Sequence, residues 1–342
     1  MYEEYVPKNL TDPLWQRLAH SKIFMTGGTG LFGHWILDSL SDANRRLNLK
    51  IEATVLTRNP ANAIARMPSL DRHIKFIQGN VENFTFPSEK YDFIFHMATT
   101  NAKETFDGAL QSQKIKTLYE GTQRVIEFAE FSKIKRILFT SSGAIYGNQN
   151  CNGIKETSMI CVDSLQVDSG LTLGKGVAEF LLKQANIEKN QDIVIARCFS
   201  FIGPGIPLNL HYAIGNFIKN SLEDKPIVIK GDGTAIRSYM YMGDLVWWLI
   251  KILLDGQSGD AYNVGSDEQV SILELAKRVK KAGESGGKII ITGIENYSVG
   301  IPARSIYTPD IGKARGELQL EINVKIESSI KETIKFIKNN YL

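Results

Sequence analysis

Residues 22–40 read KIFMTGGTGLFGHWILDSL, and this stretch decides the fold. Residues 22–26 are a short apolar run of strand-forming side chains, glycines crowd the following turn, and apolar residues recur at helical spacing from Leu31. The pattern predicts a strand, a tight turn and a helix. Backbone N–H groups and the positive end of the helix bind a pyrophosphate well in such a turn. The stretch therefore predicts a dinucleotide site.

The glycines of this turn are spaced GxxGxxG, at Gly27, Gly30 and Gly33. This spacing differs from the GxGxxG pattern of the dehydrogenase fingerprint. A glycine cluster alone also fits a turn that only packs a helix against a strand. The position of the cluster, after the first apolar strand and before an amphipathic helix, favours nucleotide binding.

Composition limits the class of protein. The chain has 342 residues, 43% hydrophobic and 23% charged, which suits one large α/β unit or two linked lobes of a globular enzyme. The 40 Lys and Arg against 37 Asp and Glu give a net charge of +3, too small to predict a nucleic-acid or membrane partner. Three scattered cysteines, Cys151, Cys161 and Cys198, predict neither a disulfide framework nor a metal site. Because residues 1–18 lack the basic and apolar regions of a signal peptide, we expect a cytoplasmic protein.

Short apolar runs alternate with helical segments along the chain. The predicted strands are residues 22–26, 51–56, 74–78, 91–96, 136–140, 193–196 and 261–264. The longer predicted helices are residues 111–131, 211–222 and 326–337. This alternation predicts an α/β fold, a Rossmann-type doubly wound parallel sheet with ligands at the carboxyl ends of its strands.

The second half of the chain predicts a smaller substrate-binding lobe. Glycines and prolines at 203–207 interrupt the strand and helix pattern and mark its start. We expect residues 1–197 and about 237–265 to form the dinucleotide-binding domain. Residues of about 198–236 and 266–342 then form the substrate lobe.

Three local signals predict helix starts. Asp12 and Pro13 indicate the start of a short N-terminal helix, and Asp244 is expected to cap the helix that runs through two tryptophans. Ser271 and Glu274 have the spacing of a capping box.

The end of the second predicted strand bears on the choice of cofactor. An acid at this place binds the ribose 2′-hydroxyl of NAD, whereas an arginine suits the 2′-phosphate of NADP. The acid is missing here and Arg58 is present, so the sequence favours NADP and leaves NAD open. His96 ends the fourth strand, and a single histidine before small residues is expected to be packed rather than catalytic.

Six later motifs add a specific resemblance. They are HMAT at 96–99, TSSGAIYG at 140–147, GKGVAE at 174–179, RCFSFIGPG at 197–205, GDGTAIRSYMYMGDL at 231–245 and AYNVGS at 261–266. With the glycine turn, and in this order, they resemble the extended short-chain dehydrogenase/reductase family. The resemblance is closest to its NAD-dependent epimerase/dehydratase branch, which acts on nucleotide sugars, and it extends from about Lys22 onward.

The resemblance implies a set of site residues. The implied cofactor contacts are Gly27, Gly30, Leu31, Phe32, Gly33, Arg58, Asn80, Val81, Ala98 and Lys175. The implied substrate contacts are Ser142, Ser200, Asn216, Phe217, Arg237 and Arg304. Ser142 and Lys175 match the catalytic pair, in which the hydroxyl bonds the reacting oxygen and the amine binds the nicotinamide ribose. Arg237 matches the arginine that clamps the sugar-linked diphosphate. From the residues alone, the asparagine and the phenylalanine at 216–217 fit surface and core positions, and each arginine fits a solvated site.

The chain departs from the family at its acid/base residue. In the YxxxK motif the tyrosine falls on Leu171, which can neither donate nor accept a proton. No tyrosine lies between Tyr146 and Lys175, and Tyr146 matches a structural tyrosine of the family. The acidic and thiol side chains of the intervening loop, Cys161, Asp163 and Asp168, are weak candidates for its replacement.

Three further family residues are changed. The asparagine of the NxxGT motif is Leu118, and the aspartate near the adenine is Asn80. The acidic pair of the 4,6-dehydratases falls on Gly143 and Ala144, which leaves dehydration without an acid or base.

The resemblance implies an NAD(P)-dependent nucleotide-sugar epimerase or reductase that transfers hydride at a sugar carbon and uses a non-standard acid/base. It implies a role in polysaccharide or deoxysugar synthesis and a homodimer formed through helices near 111–131 and 175–187. One alternative is a partner or regulatory protein that binds the cofactor and nucleotide sugar but has lost catalysis. Another is a reductase for a small ketone, which fits the diphosphate-binding segments less well.

Overall fold

Seven parallel strands form the central sheet of the protein. The computed structural model describes residues 2–99, 110–149, 151–166, 168–210, 212–293 and 305–341. In chain order the strands of this sheet are β1 (Lys22–Thr26), β2 (Glu52–Thr57), β3 (Ile74–Gln78), β4 (Phe93–His96), β5 (Arg136–Ser142), β6 (Ile193–Cys198) and β11 (Ala261–Val264). Across the sheet they lie in the order β11-β6-β5-β4-β1-β2-β3. The reversal of direction at β1 confirms the predicted doubly wound α/β fold.

Helices cover both faces of the sheet. They are α1 (Lys8–Arg17), α2 (Leu31–Leu47), α3 (Pro60–Arg66), α4 (Gln111–Ser132), α5 (Gly170–Glu188), α6 (Ala213–Leu222), α7 (Met242–Asp255), α8 (Ile272–Gly283), α9 (Gly312–Leu318) and α10 (Ile326–Tyr341). Successive residues of β5 enter different cores because strand side chains alternate. Leu138 packs in the core with Trp35 of α2 and Trp248 of α7. Phe139 packs in the core that contains Phe128 of α4.

Short strands organise the second half of the chain. These strands are β7 (Phe201–Ile202), β8 (Ile227–Ile229), β9 (Ile236–Arg237), β10 (Met240–Tyr241), β12 (Val270–Ser271), β13 (Ile289–Ile291) and β14 (Ile306–Tyr307). They pair as β12-β9-β14, β13-β8 and β10-β7. The α2 and α7 core continues into this half through Phe217, Ile227 and Val279.

The predicted start of the N-terminal helix is wrong. Helix α1 begins at Lys8, directly after Pro7, and Pro13 lies inside it. A proline inside a helix removes one backbone hydrogen bond. Trp15 in the last turn and Leu18 directly after the helix are fully buried, and their burial outweighs that loss.

The expected cap of α7 is also wrong, whereas the cap of α8 is confirmed. Asp244 lies in the first turn of α7, and its carboxylate accepts hydrogen bonds from the backbone N–H groups of Asn323 and Val324 at 3.0 and 3.1 Å. Asp244 thus ties α7 to the segment before α10. Ser271 Oγ accepts from the backbone N–H of Glu274 at 3.1 Å, as its spacing predicts.

Among the described residues, no helix combines the length and the apolar character that crossing a bilayer requires. The same part of the chain holds no group of three or more His, Cys, Asp or Glu side chains placed to bind a metal ion.

Candidate active site

The glycine turn joins β1 to α2 and contacts the end of β4. Gly27 has a φ of 72°, and a Cβ there would lie 2.5 Å from the carbonyl carbon of Met97. A Cβ at Gly33 would collide with the backbone of Gly28. Packing within the protein therefore requires both glycines.

Gly30 differs because the protein leaves space beside it. It is exposed, and the single atom near a Cβ built there is the carbonyl oxygen of Gly27 at 3.3 Å. No side chain of the described residues caps the N-terminus of α2, and its first turn holds no acid. An open backbone face at an uncapped, acid-free helix N-terminus fits a pyrophosphate. The residues present thus fit the dinucleotide.

Leu31 and Phe32 are half-buried at the same helix end. The ring of Phe32 meets Phe201 of β7 edge to face, with centroids 4.9 Å apart. This contact connects the glycine turn to the first strand of the second half.

His96 belongs to the floor of the crevice. Its Nδ1 lies 2.8 Å from Thr26 Oγ1, and its Nε2 lies 3.1 Å from Thr122 Oγ1. Thr26 Oγ1 also accepts a hydrogen bond from the backbone N–H of Ala98 at 3.2 Å, so both ring nitrogens and the threonine hydroxyl are paired inside the protein. Burial, and then the charge of Lys175, lower the pKa of His96 to about 3. The histidine is neutral and packed, as expected.

The other implied cofactor residues lie at the carboxyl ends of β2, β3 and β4. Arg58 and Asn80 are both exposed, and Asn80 Oδ1 accepts from the backbone N–H of Glu82 at 3.4 Å. Val81 is buried against Gly121 of α4, where a Cβ would lie 3.0 Å from its Cγ1. The sheet thus gathers these residues at one edge.

Ser142 and Lys175 lie at the carboxyl end of β5. Ser142 is half-buried, and its Oγ accepts from the backbone N–H of Ala144 at 3.1 Å, which leaves its proton available for donation. Lys175 is 4% exposed, and its Nζ donates to the carbonyl oxygen of Thr140 at 2.5 Å. The same amine lies 4.6 Å from the centre of the Phe139 ring. Burial lowers the pKa of Lys175 to about 8.

The candidate replacements for the tyrosine are either held in a buried hydrogen-bond network or exposed in the loop before α5. Leu171 is half-buried on α5, one turn before Lys175. The Tyr146 hydroxyl donates to Asn263 Oδ1 at 2.8 Å and accepts from Arg197 Nη1 at 2.9 Å, and burial raises its pKa to about 12. Its role is structural. The three loop candidates are exposed, namely Cys161, Asp163 and Asp168.

The place of the dehydratase acidic pair is filled by an aromatic ring. A Cβ at Gly143 would lie 2.7 Å from Cε2 of Phe199. The Phe199 ring in turn lies 4.8 Å from the Tyr307 ring, centre to centre. A side chain at position 143 would therefore displace this packing.

The structure separates the implied substrate residues into two groups. Arg237 lies on β9, which pairs with β12 and β14, and Ser200 is half-buried directly before β7. Asn216 Nδ2 donates to the carbonyl oxygen of Leu210 at 2.9 Å, and Phe217 is 3% exposed in the main core. In this structure the last two side chains contribute to local structure and packing, and their implied role as ligand contacts stays a prediction. Arg304 lies outside the described residues.

The sequence model of the NAD dependent epimerase/dehydratase family matches residues 23–265. This chain belongs to that family. The epimerase/dehydratase match spans the glycine turn, Ser142, Lys175 and all seven strands of the central sheet.

Individual members of the family resemble the chain over most of its length. UDP-glucuronic acid decarboxylase 6 of Arabidopsis thaliana is 28% identical over 314 residues, which cover 91% of this chain and 87% of the relative. The UDP-glucose 4-epimerase of Thermotoga maritima, solved with UDP-glucose, has a TM-score of 0.80 at 20% identity and covers 94% of this chain and 100% of its own. The Bordetella bronchiseptica enzyme WbmF, solved with NAD+ and UDP, has a TM-score of 0.75 at 20% identity, with 95% and 94% covered.

In this epimerase/dehydratase family member, a buried ion pair between β6 and α5 was not predicted from the sequence. Arg197 of β6 and Glu179 of α5 are both buried, and Arg197 Nη2 lies 2.7 Å from Glu179 Oε2. Glu179 follows Lys175 by one helical turn, so the pair holds the lysine-bearing helix against the sheet. Both residues occur in the motifs quoted above, but neither motif indicates that they meet.

Proposed function

We propose that this protein is an NAD(P)-dependent nucleotide-sugar epimerase or reductase that transfers hydride at a sugar carbon and uses a non-standard acid/base. The observation that carries the proposal is the pair at the end of β5. The half-exposed Ser142 hydroxyl and the buried Lys175 amine lie at the same carboxyl edge of the sheet as a glycine turn that is open to a pyrophosphate. A protein that only packed this fold would not require a lysine at 4% exposure.

Each residue has a defined task under this proposal. The nicotinamide dinucleotide, when bound, accepts or returns the hydride. Ser142 donates a hydrogen bond to the reacting sugar oxygen, and Lys175 binds the nicotinamide ribose. Arg237, with its permanently charged planar group, binds the sugar-linked diphosphate, and residues from about 198–236 and 266–342 form the substrate lobe. Arg58 favours NADP through its 2′-phosphate.

The names of the relatives support the substrate class. One acts on UDP-glucuronic acid, another was solved with UDP-glucose, and a third holds UDP beside NAD+. We propose a UDP-linked sugar for this chain and a place in polysaccharide or deoxysugar synthesis in the cytoplasm. Because the relatives include decarboxylases, uronic acids belong among the substrates tested.

Exposed apolar side chains support a homodimer through α4 and α5. Phe131 of α4 is 62% exposed, and Phe180 and Ile187 of α5 are 67% and 71% exposed. Exposed apolar side chains on two neighbouring helices indicate a surface for association. A second copy of the chain is the proposed partner.

Replacement of Leu171 tests the proposal against the alternative of a binding protein without catalysis. We expect the wild-type protein to bind NADP or NAD and to interconvert or reduce at least one sugar in a panel of UDP, TDP, GDP and CDP sugars. Turnover is followed by chromatography of the nucleotide sugars. Leu171→Phe, which adds the ring without the hydroxyl, is the control for Leu171→Tyr.

A silent wild-type protein that becomes active only as Leu171→Tyr, and not as Leu171→Phe, would overturn the proposal. The chain would then be a cofactor and nucleotide-sugar binding protein whose catalysis was lost with one hydroxyl.

A further inference from the structure

Residues 2–6 form a short segment that the proposed function leaves without a task. They precede residue 23, where the epimerase/dehydratase match begins. Tyr2 and Val6 are nevertheless each 5% exposed, and both belong to the main core together with Trp35 of α2. Ordering such a segment costs conformational entropy, so its contacts must be favourable enough to offset that cost. The contacts of Tyr2 show what the segment holds in place.

Tyr2 is held between α2 and α10. Its ring lies 4.8 Å from the Trp35 ring, centre to centre, and the two ring planes are 17° apart, which is a stacked arrangement. The backbone N–H of Tyr2 donates to Asp38 Oδ2 at 2.8 Å, and the Phe336 ring of α10 lies 5.7 Å from the Tyr2 ring. Contacts from two helices thus fix the position of this one residue.

The hydroxyl end of Tyr2 reaches the loop that follows β7, residues 203–205. A Cβ built at Gly205 would collide with the Tyr2 hydroxyl oxygen, and it would lie 2.8 Å from Tyr2 Cζ and 3.3 Å from Leu31 Cδ1. Gly205 also has a φ of 84°, so both its backbone conformation and this close approach require glycine. Leu31 is the first residue of α2. Tyr2 therefore packs where this loop meets the N-terminus of the helix.

Trp35 joins the same loop to α2 a second time. Its Nε1 donates to the carbonyl oxygen of Pro204 at 3.0 Å, and a Cβ at Gly203 would lie 3.4 Å from its Cζ2. Because Tyr2 stacks on the Trp35 ring, it restricts the ring that donates this hydrogen bond. The loop follows Ser200 and β7 in the chain, and its contacts with α2 lie near the turn proposed to bind the pyrophosphate. Tyr2 thus lies where the substrate and cofactor sides of the site meet.

We propose that Tyr2 is a positioning residue of the site, which holds residues 203–205 against the first turn of α2 and thereby keeps the cofactor and substrate sides at a fixed separation. The inference rests on the proposed function. Tyr2 is buried, so it acts through the two side chains that it contacts, Leu31 and Trp35. Without its ring, both side chains would border an unfilled space, and the first turn of α2 would be free to shift.

Cofactor affinity tests this role without turnover. We expect Tyr2→Ala to raise the Kd for NADP+ or NAD+, whichever the wild type binds more tightly, by about tenfold, because a displaced first turn of α2 no longer presents its backbone N–H groups to the pyrophosphate. Isothermal titration well below the melting temperature measures the Kd. Tyr2→Phe keeps the ring and its reach to Gly205, so its Kd should stay within about twofold of the wild-type value.

Leu18→Ala is the matched control, because Leu18 is fully buried in the same core. Its neighbour Arg17 pairs with Asp255, the last residue of α7, at 2.6 Å, whereas Gly203 contacts the first residue of α7. The 14 residues of α7 span about 21 Å, so Leu18 lies far from the loop. Leu18→Ala should lower the melting temperature, as Tyr2→Ala does, but leave the cofactor Kd within about twofold of the wild-type value.

These measurements separate a positioning role from a contribution to stability alone. If Tyr2→Ala lowers the melting temperature but keeps the cofactor Kd, or if Leu18→Ala raises the Kd as much as Tyr2→Ala does, the inference is wrong. Where Tyr2→Ala fails to fold, Tyr2→Leu, which fills part of the space without reaching Gly205, replaces it in the titration. A wild-type protein that binds neither NADP+ nor NAD+ contradicts the proposed function instead.

Discussion

Lys175 illustrates how much of a residue's chemistry its burial decides. The lysine of a YxxxK motif predicts a ribose contact, but the sequence does not indicate the charge state of the amine. At 4% exposure the ammonium group loses most of its hydration, and the pKa falls to about 8. Among the described residues its amine donates one hydrogen bond, to Thr140, which does not replace that hydration. The folded protein therefore holds this proton more weakly than the unfolded chain does.

Stability as a function of pH tests this residue. Between pH 8 and 10.5 the unfolded chain binds a proton that native Lys175 has already lost, so stability rises with pH across this window. Below pH 8 the native lysine is charged, and the unfavourable free energy of burying that charge lowers the stability of the folded protein in full. We expect Lys175→Met to be more stable than the wild type at pH 7 by on the order of 1–3 kcal/mol, with the gap narrowing as the pH rises. Urea unfolding of both proteins at several pH values measures this difference in stability.

A difference in unfolding free energy between Lys175→Met and the wild type that stays constant from pH 7 to 10.5 would contradict this account. The same variant should bind NADP or NAD more weakly, and an unchanged cofactor affinity would remove the role proposed for Lys175 at the ribose.

At the scale of elements, α5 connects the crevice to the interior. It begins near Leu171, contributes Lys175 to the end of β5, and one turn later pairs Glu179 with Arg197 of β6. Arg197 also donates to the Tyr146 hydroxyl at 2.9 Å and to the carbonyl oxygen of Glu156 at 3.0 Å. The orientation of the lysine-bearing helix thus depends on a buried polar network. Most members of this network lie outside α5.

Removal of one member of the buried pair tests this dependence. We expect Arg197→Met to lower the free energy of unfolding by about 3–5 kcal/mol, because it leaves the Glu179 carboxylate buried without a counter-charge. Arg197→Met with Glu179→Met should recover most of the loss. Lys189→Met removes the exposed pair with Glu130 and is the control, with an expected change of at most about 1 kcal/mol. Equal effects of the buried and exposed substitutions would show that the network does not hold α5.

At the scale of the whole molecule, two unlike surfaces meet at α4 and α5. Their inner faces pack on the sheet, while Phe131, Phe180 and Ile187 are exposed on the outer faces. Water contact with large apolar side chains is unfavourable at roughly 25 cal/mol per Å². Association of two copies through these helices would remove the apolar side chains from water. It would also stabilise the two helices on the side away from the sheet.

A charge on the outer face of α5 tests the proposed dimer. We expect the wild-type protein to have the mass of a dimer by size-exclusion chromatography with light scattering, and Phe180→Asp to shift it towards the monomer at micromolar concentration. Ile64→Asp is the control, because Ile64 is 57% exposed on α3, away from both helices. A monomeric wild-type protein, or a Phe180→Asp variant that remains dimeric, contradicts the proposed surface.

Local pattern was enough to predict the main sheet and the glycine turn. The bounds of β1, β3 and β11 agree with the predicted runs, because strand and helix periodicity and the conformational needs of glycine are properties of neighbouring residues. The same kind of reasoning failed at Pro13 and Asp244, where buried contacts from distant segments outweigh the local signal.

The sequence by itself determined the α/β class and the strand, glycine turn and helix that begin the central sheet. Tertiary structure alone decided that Phe199 fills the space beside Gly143 and that Arg197 pairs with Glu179. The physical reason is that turns and periodic runs depend on residues close in the chain. Burial, pairing and pKa depend on which distant segments the fold brings into contact.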